Sequence, residues 1–140
     1  MDDRLIFWPA LAMMLLVAIV TFRMFFERKR QVIGERIPMR EIASGSQMAT
    51  RFADTRAADN YRNLFEAPVL FYVALLAALA TGAVSPLVVS LAWAYVALRY
   101  LHSYIHCTYN RIMHRVYAFF AGNIVLWALW SVLAVGWLRP

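Results

Sequence analysis

The chain has 140 residues, 63% of them hydrophobic and 16% charged. That apolar share lies far above the roughly 45–50% of an ordinary soluble domain, which excludes both a disordered chain and a soluble globule of this size. The 14 Lys and Arg residues against 8 Asp and Glu give a formal charge of +6, but they fall mostly between apolar runs and read as membrane topology rather than as a nucleic-acid footprint.

The first apolar run, Leu5–Phe26, is interrupted only by Thr21 and Arg23. It is long enough to span a bilayer, since about 20 helical residues cross a core about 30 Å thick. No small-residue cleavage site follows it, so it is read as a span rather than a signal peptide. Glu27–Ser44, with Gly34 and Pro38, reads as an irregular or partly helical linker. Ser44 or Ser46 is a candidate N-cap, and Gln47–Glu66 is rich in helix formers. The second helix is therefore expected to begin outside the membrane, run on into the apolar Ala67–Val84 and kink at Pro68.

The third run starts at Pro86, stays apolar to Leu98 and then meets Arg99 and His102. The fourth, Val116–Leu138, carries only Asn123 and Ser131 as polar side chains apart from its aromatics. No alternating pattern of the kind a membrane β-barrel needs is present. The expected fold is all-α, an integral-membrane bundle of four helices over about 5–26, 67–84, 86–105 and 116–138, in a single domain 1–140.

Orientation follows from the basic residues. Nine lie within Arg23–Arg62 and three within 99–115, against Arg4 and Arg139 on the opposite side. Both termini are expected in the periplasm or a lumen and the two polar connections in the cytoplasm, with a bacterial inner membrane as the location.

Polar residues gather where the last three helices enter the membrane. Asp59, Asn63 and Glu66 follow i, i+4, i+7 and share one helical face; Arg62 and Glu66 are four apart and could pair as a simple interfacial salt bridge. Arg99, His102, His106 and Asn110 form one stripe on the third helix. Arg99 lies about 20 Å along the axis from Pro86, inside the hydrocarbon, where a guanidinium needs a partner or water. It either snorkels to the headgroups or faces a wet cavity with Glu66 or Asn63 as its partner. His102 and His106 have the spacing of two ligands on one helix, yet no HExxH pattern and no acidic third ligand accompanies them, so no metal site is expected. Tyr95, Tyr100, Tyr104, Tyr109 and Tyr117 read as an aromatic belt. Ala118 and Gly122 allow a close helix contact within the bundle or between subunits. Cys107, the sole cysteine, excludes a disulfide framework.

Two segments resemble a known family. Arg62-Asn63-Leu64-Phe65-Glu66, within DNYRNLFEAPVLFY, is similar to the signature of the MAPEG superfamily (membrane-associated proteins in eicosanoid and glutathione metabolism) in its bacterial form. Arg99-Tyr-Leu-His102-Ser-Tyr-Ile-His106, followed by Arg111 and Arg115, resembles that superfamily's passage from helix three to helix four. The resemblance implies a trimer of four-helix subunits with glutathione as cosubstrate between subunits at the cytoplasmic face. It implies that Arg62, Asn63, Glu66, Arg99 and His102 hold glutathione, that Arg115 lies near its sulfur, and that His106 donates a hydrogen bond to the thiolate. The implied activity is that of a glutathione-dependent transferase or peroxidase acting on small lipophilic electrophiles. Two positions depart from the family's pattern: Asp59 stands where an Arg is usual, and His106 where a Tyr is often found.

Those departures keep a second reading open, a non-catalytic member that binds another thiol, a lipid or a partner. A small transporter is disfavoured, because Ala67–Val84 and most of Val116–Leu138 carry no ionisable side chain to line a polar path.

Overall fold

The computed structural model describes residues 2–138, and among them every regular element is helical. Arg139, counted above in the charge asymmetry, lies outside the described residues. A 3₁₀ turn at Asp3–Ile6 leads into α1 (Phe7–Gly34), followed by a second 3₁₀ turn (Met39–Ile42), α2 (Gly45–Arg51), α3 (Arg56–Asn63), α4 (Ala67–Ala80), α5 (Pro86–Cys107) and α6 (Ile112–Leu138).

The first helix runs well past its apolar stretch. It carries Arg28, Lys29, Arg30 and Gln31 beyond Phe26 and stops near Gly34, where Arg36 takes a left-handed conformation at φ 51°. Ser44 caps α2: its hydroxyl accepts from the Gln47 amide, and the Gln47 side chain returns a bond to the Ser44 N–H, a complete capping box.

The stretch expected as one helix from Gln47 to the membrane is broken twice. The first break, Phe52–Thr55, is held by α1. Gln31 Nε2 donates to the Asp54 carbonyl and Gln31 Oε1 accepts from the Asp54 N–H, both at 3.0 Å. One side chain thus satisfies the backbone groups that a helix would have paired. The second break, Leu64–Glu66, precedes Pro68, which sits in the first turn of α4. A continuous helix would press the Pro68 ring against the Leu64 carbonyl, whereas a fresh helix places it where no N–H is missed. Pro68 therefore begins a helix rather than kinking one.

Gly82, at φ 64°, turns the chain between α4 and α5. Ser85 then caps α5, its hydroxyl accepting from the Val88 amide at 3.3 Å, with Pro86 behind it.

The most extensive helix pair is α5 with α6. Ala118 and Gly122 are its close-contact positions, and a Cβ on Gly122 would meet Leu98, Arg99 and Tyr95 at 3.8–3.9 Å. The small pair thus serves packing within the subunit. Phe71, Ala74, Leu75, Val88, Ala92, Tyr95, Leu126 and Leu129 form the interior with Met13, Leu16 and Val20 of α1. Two of the expected belt tyrosines belong to this interior. Tyr95 stacks on Phe71 with ring centroids 4.6 Å apart, and the Tyr100 hydroxyl donates to the Ala12 carbonyl at 2.8 Å. Tyr104, Tyr109 and Tyr117 are exposed.

Outward faces are apolar: Trp8, Met14 and Phe22 on α1, Leu70 and Leu76 on α4, Ile124 and Trp127 on α6 are all half exposed or more. Lipid satisfies such a surface, and helices leave no backbone group unpaired within it. Among the described residues, three helical stretches are long and apolar enough to cross a membrane: Asp3–Gly34, Arg56–Ala80 and Ile112–Leu138. The expected fourth span, α5, is not among them, because Arg99, His102 and His106 dilute its apolar character.

Candidate functional site

A polar cleft opens where α3, the turn before α4, α5 and α6 converge. It has a volume of about 360 Å³ and is lined by Asp59, Arg62, Asn63, Glu66, His102, His106, Arg115, Val116 and Phe119. Six of the seven residues singled out from the sequence line it. Arg99 does not; it stands behind Asn63, 1% exposed.

Asn63 is the hinge of the arrangement. Its Oδ1 accepts from Arg99 Nη2 at 2.5 Å, its carbonyl accepts from the same nitrogen at 3.3 Å, and its Nδ2 donates to Glu66 Oε2 at 3.3 Å. Of the two partners considered for Arg99, Asn63 is the one it takes. The loose turn at Leu64–Glu66 keeps Glu66 on the cleft although the helix ends before it.

Arg62 does not pair with Glu66. Its Nη2 lies 2.8 Å from Asp59 Oδ1, an i,i+3 pair within α3, because the break after Asn63 removes the i+4 geometry.

His102 Nδ1 faces the Arg115 carbonyl at 3.2 Å. A neutral imidazole donates there from Nδ1, which leaves Nε2 an acceptor. Among the described residues, His102 Nε2 and His106 Nδ1 are buried without a hydrogen-bond partner, as are Arg99 Nε and Nη1. The two imidazoles meet edge to face at 5.6 Å. Arg115 Nη1 donates to the neutral Asn110 Oδ1 at 2.9 Å. Asn110 lies beyond the end of α5 in a left-handed conformation, φ 47°, so the helical stripe stops at His106 and Asn110 supports Arg115 from a turn.

Three features escaped the sequence reading. Phe119 lies one helical turn after Arg115, a spacing that could have placed it on the same wall. Asn60 is fully buried; its Nδ2 donates to Cys107 Sγ at 3.4 Å and its Oδ1 accepts from the Ser103 hydroxyl at 3.3 Å. Lying one turn before Asn63, it fixes α3 against α5 just behind the cleft. Finally, the carbonyls closing α5 receive two guanidinia: Arg23 Nη2 donates to Cys107 O at 2.5 Å, and Arg56 Nη1 donates to Thr108 O. Each is balanced by an acid, Glu27 at 3.0 Å and Asp54 at 2.7 Å. Arg56 beside Asp54 holds that carboxyl at about 2, below its ordinary 3.8. No sequence spacing marks these contacts, which join residues 84 and 52 positions apart.

Residues 6–135 match the model of the MAPEG family, nearly the whole chain. No curated protein and no solved structure matches it.

Proposed function

The chain belongs to the MAPEG family, and from that premise we propose that it is a thiol-dependent membrane enzyme. In this reading it binds glutathione in the polar cleft and directs its sulfur at lipophilic electrophiles that partition from the bilayer. The observation that carries the reading is Arg115. Arg115 lines the cleft with a neutral amide as the partner of its guanidinium, beside two histidines with one buried ring nitrogen each, His102 Nε2 and His106 Nδ1, that has no partner among the described residues.

Such a setting suits a thiolate. A thiol is a poor nucleophile until a cation or hydrogen-bond donor stabilises its anion. Arg115 supplies the cation, and His106 a donor when its proton faces the cleft. Glu66 offers a carboxylate to the ligand's ammonium, and the Asn63 amide orients it. Arg99 acts through Asn63, as a positioning residue. The thiol proton leaves to solvent through the open cleft, and the thiolate then forms a bond to the electrophilic carbon, whose leaving group departs with its bonding pair or, in a conjugate addition, whose π pair moves onto the acceptor and takes up a proton from water. Phe119 and Val116 give the apolar side of the cleft that a lipophilic partner needs.

The same reading places the polar connections in the cytoplasm, supported by the charge asymmetry. It counts α5 as a fourth span, since α5 packs along α6 and its ionisable side chains turn inward, and it takes three subunits as the working assembly, on the family's pattern. A non-catalytic member that binds another thiol is favoured by one observation, the Asp59–Arg62 pair that occupies part of the cleft.

The test is calorimetry of glutathione binding to detergent-purified protein, with thiolate absorbance read on the same sample. Binding in the micromolar to low-millimolar range with proton release near neutral pH, and loss of that release in Arg115→Gln, supports the enzyme. Absence of binding at several millimolar overturns it.

A further inference from the structure

The cleft already contains an anion of its own. Asp59 Oδ1 accepts from Arg62 Nη2 and Asp59 Oδ2 accepts from the Thr55 hydroxyl, both at 2.8 Å. Both carboxylate oxygens are engaged, and the α3 backbone holds Asp59 three residues from Arg62. An intramolecular partner fixed at that range competes at an effective concentration that a free ligand does not match.

The formal charges on the lining cancel: Asp59 and Glu66 against Arg62 and Arg115, with both histidines counted neutral. The lining by itself therefore adds no net charge to draw a dianionic ligand, and the further cation nearby, Arg99, is buried behind Asn63. Of its two guanidinia, Arg115 meets a neutral amide and Arg62 meets an acid. Asp59 engages one nitrogen of Arg62, so a ligand carboxylate that takes the remaining donors sits beside Asp59, like charge against like.

We infer that Asp59 is a specificity-determining residue that weakens the hold of Arg62 on ligand carboxylates, so that an anionic thiol such as glutathione binds less tightly than the cleft's guanidinia alone would give, while a thiol with an uncharged tail is unaffected. This deepens the thiol reading above and rests on it for the identity of the ligand. Side-chain exposures of 68% for Arg62 and 44% for Asp59 make the pair a solvated one, so the weakening is modest, worth about fivefold in the affinity of an anionic ligand.

The experiment is a double-mutant cycle on the full chain in detergent: wild type, Asp59→Asn, Arg62→Gln and the double variant. Asp59→Asn keeps an acceptor for Thr55 and changes only exposed charge, so the fold is unaffected. Glutathione and the uncharged thiol N-acetylcysteamine are titrated by calorimetry, and inorganic sulfate is followed by its effect on the unfolding temperature. Arg62→Gln in the wild-type background should leave glutathione affinity within about twofold, while Asp59→Asn tightens it about fivefold. The gain should vanish in the double variant, and N-acetylcysteamine should respond to none of the substitutions.

A wild-type protein that loses about fivefold or more on Arg62→Gln overturns the inference, because Arg62 was then open. A gain that survives in the double variant also overturns it, in favour of a general field effect. If glutathione binds none of the four proteins, the thiol reading falls and sulfate alone decides the role of Asp59. Stabilisation by sulfate in Asp59→Asn but not in the other three supports the inference; an equal response in all four overturns it.

Discussion

Arg99 reaches from α5 to Asn63 at the end of α3, and one of its nitrogens meets both the side-chain oxygen and the main-chain carbonyl of that residue. A guanidinium 1% exposed is thus held by a neutral amide, with the charge kept away from the cleft surface. Removing the amide leaves the ion without its side-chain partner. Asn63→Ala is expected to cost about 1.5–3 kcal/mol, the range for hydrogen bonds to charged groups. A lower unfolding temperature in detergent reads it. Asn63→Asp, which keeps an acceptor and adds an opposing charge, should cost less.

Asn60 makes a second, neutral bond between the same two helices. Asn60→Ala strands the Ser103 hydroxyl and opens a small hole where nothing is exposed. The expected loss is about 1–3 kcal/mol. Asn60→Leu should not rescue it, since the hydroxyl remains unsatisfied; pairing it with Ser103→Ala should recover part of the loss. Unfolding of wild type, Asn60→Leu, Ser103→Ala and the double variant in one detergent gives the coupling.

Gly122 sits in the α5–α6 contact with room for one carbon: a Cβ meets its nearest neighbours at ordinary van der Waals distance. Gly122→Ala should therefore stabilise the helix, by up to about 1 kcal/mol. Gly122→Leu would drive its outer carbons into Leu98, Arg99 and Tyr95 and should destabilise the protein. If Gly122→Ala lowers the unfolding temperature, the close packing between α5 and α6 is wrongly drawn.

Acid stability depends on Asp54. Its carboxyl titrates at about 2 in the folded chain against an ordinary 3.8, because Arg56 hydrogen-bonds the charged form. A depressed carboxyl pKa adds stability that is fully present above the unfolded value and is lost as pH falls through the folded one. The Arg56 pair should therefore contribute fully above about pH 4 and fade toward about pH 2. Asp54→Asn should flatten that part of the stability–pH curve and leave the slope between pH 5 and 7 unchanged. A variant that loses the same stability at pH 3 as at pH 7 would contradict the assignment.

Signals in the chain are legible where the physics is local. The Ser44 cap needs only Gln47 three residues on, and the stripe Arg99, His102, His106 needs only helical spacing, which brings the two histidines into one cleft. Reading failed where the partner is remote. The break at Phe52–Thr55 depends on Gln31, 23 positions from Asp54. Tyr95 and Tyr100 look like belt residues until Phe71 and the Ala12 carbonyl are in place. Arg62 turned to Asp59 rather than Glu66 because the helix ends between them, at a boundary set by Pro68 two residues beyond Glu66.

The two guanidinia that meet the end of α5 also impose an order of events. Arg23 and Arg56 are made early, on the first and third helices, while the carbonyls of Cys107 and Thr108 emerge only near the end of synthesis. Each arginine also has an acid close to it in sequence, Glu27 four residues after Arg23 and Asp54 two residues before Arg56, a pairing that needs no part of α5. The end of α5 thus acts as a keystone: one short segment ties two earlier helices, and a chain cut short after α4 would leave α1 and α3 without that tie.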